Sequence, residues 1–193
     1  IILRLTTRVA HSQSLVELEE RQELPNRPYE KNISKYVMMP ANARVKHVVV
    51  EERMKKLSAD SESFAINRIE EGDKELGVIC SGGVYQYVKE ALPNASILKL
   101  GMVYPLPYGL IEKFAKSVKR CIVAEELAPH IERLIKARGI KVEGKELFPL
   151  CGEFSANLIR ECVLGKKAEY TAENVPARPP VLCAGCPHRG VFY

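Results

Sequence analysis

The chain has 193 residues, 46% hydrophobic and 27% charged, enough for one domain with appendages and a sizeable core. Its net charge of +5 is spread through mixed stretches such as Glu51-Glu52-Arg53-Met54-Lys55-Lys56, and no long basic run interleaves with aromatics, so nucleic-acid binding has no support. No run of about 18 apolar residues occurs, which excludes an apolar membrane-spanning helix.

Residues 1–9 alternate, with Leu3, Leu5, Thr7 and Val9 on one face and Arg4, Thr6 and Arg8 on the other, the pattern of a strand. The polar stretch that follows carries Pro25, Pro28 and Pro40 and reads as a surface-wrapping linker over 10–40. A helix is expected over 41–59. Asn42 is its N-cap candidate, Ala43, His47, Val50, Met54 and Leu57 its apolar stripe, and Glu51–Lys55 and Glu52–Lys56 its i,i+4 pairs. Two short apolar runs, 64–70 and 76–80, flank Gly72-Asp73 and predict an antiparallel hairpin.

From residue 76 the pattern becomes strand–helix–strand. Strands at 76–80, 96–100 and 120–124 alternate with helices carrying Val84 and Val88, Ile111 and Phe114, and Ile131 and Ile135. A last strand is expected near 145–150, before a helix that opens at Ser155. Apolar strands alternating with amphipathic helices imply a three-layer α/β/α sandwich: about five strands, mostly parallel, with one antiparallel. Cys80 and Cys121 lie inside apolar runs, which suits reduced core thiols and a cytoplasmic origin.

Three places are candidates for chemistry. Ser81-Gly82-Gly83 joins a strand to a helix, either as a phosphate cradle for CoA or a nucleotide, or as a tight and closely packed turn. Glu125 and Glu126 end a central strand at the edge where open α/β sheets place ligands; an interdomain contact and a charge at a helix N-terminus are both open readings. After Pro179-Pro180 comes Cys183-Ala184-Gly185-Cys186-Pro187-His188-Arg189-Gly190, a C-x-x-C backed by two cationic residues. Its thiols form half of a cluster or metal set, or else a Gly-containing turn with buried or reduced thiols. His188 and Arg189 are placed to lower a neighbouring thiol pKa. His47 and His130 have no partner at metal-ligand spacing.

The segment from Val181 to Gly190 resembles the start of the thiamine-diphosphate domain in the alpha subunits of indolepyruvate ferredoxin oxidoreductases. The opening Leu3-Arg4-Leu5-Thr6-Thr7-Arg8-Val9-Ala10-His11-Ser12 is similar to the end of their pyrimidine-binding domain. Ile122-Val123-Ala124-Glu125-Glu126 and the Gly-Met-Val-Tyr-Pro-Leu-Pro loop at 101–107 are similar to a transketolase C-terminal-type domain. The resemblance implies an internal piece of a longer enzyme. Residues 1–40 would end the preceding domain and its linker, 41–165 would be the transketolase C-terminal-like domain, and 166–193 a linker and the start of the thiamine-diphosphate domain. It further implies decarboxylation of aryl 2-oxoacids to aryl-acetyl-CoA with ferredoxin as electron acceptor, thiamine diphosphate, Mg²⁺ and 4Fe-4S clusters as cofactors, and a beta subunit as partner. Cys183 and Cys186 would then be metal ligands, and His188 and Arg189 cofactor-binding residues. The competing reading is a doubly wound domain that binds CoA or a nucleotide without catalysis.

Overall fold

The computed structural model describes residues 2, 13, 15–167, 185, 186 and 189. By its internal contacts the chain divides into two units, Ile1–Lys46 and His47–Tyr193.

In the first unit, residues 15–32 are exposed and carry no regular structure. They lead into a helical turn the sequence reading did not anticipate, α1 (Ile33–Tyr36), where Asn32 Oδ1 accepts from Lys35 N at 3.0 Å. The strand expected over 1–9 lies outside the described residues, Ile2 excepted. The long helix α2 (Pro40–Ser61) crosses from one unit to the other. It begins at Pro40, a ring preset for the first helical position, with Met39 O taking the Ala43 N–H. Asn42 is therefore not the N-cap. It sits inside the first turn, and its Nδ2 donates to Val37 O at 2.9 Å. The ion pairs also differ from those expected: Lys56 turns to Asp60 at 2.5 Å, and His47 lies 3.7 Å from Glu51. In the expected stripe Met54 and Leu57 are half-buried, while His47 and Val50 face solvent.

The second unit holds a four-stranded sheet of order β1-β3-β2-β4, built from β1 (Arg68–Glu70), β2 (Asp73–Ser81), β3 (Ala95–Leu100) and β4 (Arg120–Ala124). β2 runs parallel to both β3 and β4, and β1 is antiparallel to β3. The one antiparallel strand is present, but not as a hairpin. Gly72 N donates to Ser96 Oγ, Asp73 N donates to Asn94 O, and Ser96 Oγ donates to Asp73 O. Gly72 lies so close to the Asn94 and Ala95 carbonyls that no Cβ would fit there. The Gly-Asp turn is thus seated on the start of β3, so β1 pairs across that strand while β2 spends its length in two parallel ladders.

Successive strand residues point to opposite faces and sort the core into two layers. Val78, Cys80, Ile97, Ile122 and Ala124 pack under α3 (Val84–Ala91) and α6 (Ala156–Leu164). Ile79, Leu98, Leu100, Cys121 and Val123 pack under α4 (Tyr108–Lys116) and α5 (His130–Lys136). The three-layer α/β/α expectation is met. α6 starts where expected, with Ser155 Oγ accepting from Leu158 N at 3.2 Å, and ends at Gly165 in the left-handed region, φ 68°.

The strand expected near 145–150 is absent. In its place Glu143 makes an isolated parallel bridge with Ile122, and Leu147 and Phe148 N–H groups then turn back onto Gly144 O. The Glu132 carboxylate causes the diversion. It sits against Gly144 and accepts from Lys145 N at 2.9 Å, which pulls the chain out of the ladder.

Candidate functional site

After β2 the chain crosses the α3 face, and after β4 it crosses the α5 face, so the strand order reverses direction between β2 and β4. The carboxyl ends of those two strands are where open α/β sheets bind ligands. They carry the Ser81-Gly82-Gly83 turn and the Glu125-Glu126 pair.

Gly82 has φ +56°, a backbone conformation that excludes most side chains, and open space surrounds it and Gly83 to 4 Å. The turn is tight, with Tyr85 and Gln86 N–H donating to Gly82 and Gly83 carbonyls at 3.4 and 3.2 Å, but it is not closely packed.

Glu125 is buried, and both its oxygens are used: Oε2 accepts from Ile131 N and Oε1 from Glu132 N, each at 2.9 Å. It caps the first turn of α5. Glu126 Oε1 accepts from Phe154 N at 2.8 Å, tying β4 to the approach of α6. Lys145 Nζ donates to Glu125 O and Pro149 O. Burial holds that ammonium below the usual lysine range, against the pull of Glu125, Glu132 and Glu126. The helix-terminus reading of Glu125 is the observed one. Neither its carboxylate nor the bonded oxygen of Glu126 is available as a base.

Beside them stands the 101–107 loop. Tyr104 and Val103 are exposed, Leu106 is buried, and the Tyr104-Pro105 peptide is cis. Two residues that the sequence reading passed over hold this loop. Buried Asn67 donates from Nδ2 to Ser61 O at 2.9 Å and accepts Gly101 N and Met102 N at 3.0 Å each. Glu62 accepts Gly109 N at 2.8 Å and Leu110 N at 2.6 Å, which caps α4. Both contacts span more than thirty residues, so no local pattern announces them.

Of the expected cofactor residues, Cys183 and His188 lie outside the described residues. Cys186 is half-buried and Arg189 exposed. Arg189 N donates to Cys186 O at 3.1 Å behind Gly185, whose φ is 76°. The described part of the motif is therefore a turn carrying one thiol. Among the described residues no group of three or more His, Cys, Asp or Glu side chains is arranged to hold a metal ion. These residues do not by themselves fit a cluster, Mg²⁺ or thiamine diphosphate, and no catalytic step is assigned to them. Nor is any described helix long and apolar enough to cross a membrane.

No protein-family model matches the chain. Among curated proteins it is 36% identical, over 214 aligned positions, to the indolepyruvate oxidoreductase subunit IorA of Methanothermobacter thermautotrophicus. The subunit of the same name in Pyrococcus horikoshii is also 36% identical, and that of Archaeoglobus fulgidus 34%. Each match covers 100% of this chain and 35% of the relative, so the chain spans about a third of the length of these proteins. Among solved structures, a 2-oxoglutarate:ferredoxin oxidoreductase from Magnetococcus marinus, with 2-oxoglutarate, coenzyme A and succinyl-CoA bound, superposes with a TM-score of 0.51. That match covers 66% of this chain and 24% of the other at 22% identity, and it supports the α/β fold. From end to end, the chain is similar in sequence to a part of the indolepyruvate oxidoreductase IorA subunits.

Proposed function

We propose that this chain is the central part of a thiamine-dependent enzyme that oxidatively decarboxylates aryl 2-oxoacids of the indolepyruvate type. The product is an aryl-acetyl-CoA, and the electrons go to ferredoxin. The observation that carries the reading is the match to the IorA subunits along the whole chain. In it, residues 41–165 are a transketolase C-terminal-like spacer and interface domain. Residues 1–40 and 166–193 join the thiamine-holding domains on either side, and a beta subunit completes the enzyme. Thiamine diphosphate supplies the carbanion chemistry when bound, and the protein supplies positioning. Cys183 and Cys186 contribute ligands to a 4Fe-4S cluster, His188 and Arg189 face the cofactor, and the reduced core thiols Cys80 and Cys121 suit a cytoplasmic setting.

The complete subunit, produced with its partner, is expected to reduce a viologen dye in the presence of indolepyruvate and CoA, while the 193-residue chain alone is inactive. Cys183→Ser is expected to change the iron content and the EPR spectrum of the reduced complete enzyme. Absence of CoA-dependent dye reduction with any aryl 2-oxoacid overturns the activity. A wild-type iron count and spectrum in Cys183→Ser overturns the ligand role. His188→Ala is expected to lower turnover without loss of iron.

A further inference from the structure

Pairing of β1 with β3 sets Arg68 directly opposite Lys99, and facing residues of an antiparallel pair project from the same side of the sheet. α3 lies over that side and adds Tyr85 and, one turn on, Lys89. Lys99 Nζ, Arg68 Cζ and Lys89 Nζ stand 4.6, 5.4 and 5.5 Å from the Tyr85 ring centroid. The cluster contains a single carboxylate. Glu70 accepts from Tyr85 Oη at 2.6 Å, Lys89 Nζ at 3.0 Å and Arg68 Nε at 3.1 Å. Arg68 and Lys89 each also donate to Tyr85 Oη at 3.1 Å. The Lys99 ammonium rests on the face of the ring.

Arg120–Glu143, Lys119–Glu75 and Lys116–Glu112 are one-to-one pairs. Here three cations share one carboxylate, an excess of two positive charges, equal and opposite to a phosphate dianion. Like charges set opposite each other weaken strand pairing, and the apolar core beneath, Cys80 and Ile97, has no use for them. The side chains of Arg68 and Lys89 are about half exposed, so the cluster is open to solute. The open space at Gly82 and Gly83, at the start of the same helix, leaves room for the rest of a ligand.

We infer that Arg68, Lys89, Lys99 and the Tyr85 hydroxyl form a binding site for a phosphate group carried by a small molecule. The Arg68 fork takes two phosphate oxygens, the two lysines act as point charges, and the phenol turns its one proton from Glu70 to the anion. Glu70 holds these donors in place and competes with the anion for them. The assignment does not rest on the oxidoreductase reading, because it concerns equilibrium binding to this chain and needs no turnover.

The test is titration of the whole chain with inorganic phosphate and with pyrophosphate at constant ionic strength, followed by calorimetry and by amide NMR shifts. Saturable binding is expected, with the largest shifts at Arg68, Tyr85, Lys89 and Lys99. Lys99→Met is expected to weaken it about tenfold or more, the loss of one charge-assisted contact. Glu70→Gln is expected to tighten it, and Lys113→Met on α4 to leave it unchanged. Lys99→Met leaves the Tyr85–Glu70 hydrogen bond in place, so the reading stands on that variant even where Glu70→Gln folds poorly. Non-saturating shifts equal to those of chloride, or wild-type affinity in Lys99→Met, overturn the site.

Discussion

The described cysteines occupy very different surroundings, and their chemistry follows from burial. Cys80 and Cys121 lie inside the two core layers, where burial pushes their thiols up to about 12. Glu70 adds to the effect at Cys80, and Glu143 at Cys121. Cys151 is exposed in the loop before α6. Because the thiolate is the nucleophile, brief alkylation at pH 8 is expected to modify Cys151 and leave Cys80 and Cys121 intact until denaturant is added. Peptide mass spectrometry reads the outcome, and native labelling of Cys80 at the rate of Cys151 contradicts the packing described.

At the scale of elements, α5 depends on a carboxylate from outside the helix. His130–Lys136 is only seven residues long and has a proline at its N-cap, so its first-turn amides rely on Glu125. Glu125→Ala strands two buried N–H groups and is expected to cost about 1–3 kcal/mol in urea denaturation. Glu126→Ala frees one and costs less. The helices and the parallel core were legible in the sequence because their signals are local. Val84 and Val88, Ile111 and Phe114, and Ile131 and Ile135 repeat at helical spacing, and Ser155 is a cap that can be read directly. The antiparallel partner of β1 was not legible. Its choice is made by Ser96 and Asn94, more than twenty residues beyond the turn they seat. The missing last strand has the same origin, since Glu132 on α5 diverts residues that by pattern alone continue the sheet. At the site, the Gly-Gly turn and the Glu pair were found from the sequence, whereas Asn67 and Glu62 act through tertiary contacts.

For the whole molecule, two ion clusters among the described residues contribute to the response to acid. The Arg120 guanidinium grips Glu143 through two hydrogen bonds of 2.8 and 2.6 Å and holds its carboxyl below the usual range. Tyr85, then Lys89, do the same for Glu70. A carboxyl whose folded pKa is depressed adds stability above its unfolded pKa and loses it as pH falls through the folded value. The thermal midpoint is therefore expected to drop as pH is taken below about 4. Glu143→Gln is expected to be less stable than wild type at pH 7 and to converge with it in acid. Parallel curves across that range would mean that the pair contributes no net stability. Asn67 has a different reach, because one amide group holds the last turn of α2 with its nitrogen and the start of the 101–107 loop with its oxygen. Fraying of that helix end releases the side chain, and with it the protection of the Gly101 and Met102 amides against solvent exchange. The C-terminal turn of α2 and the carboxyl-end loop after β3 are thereby tied together by a single planar amide.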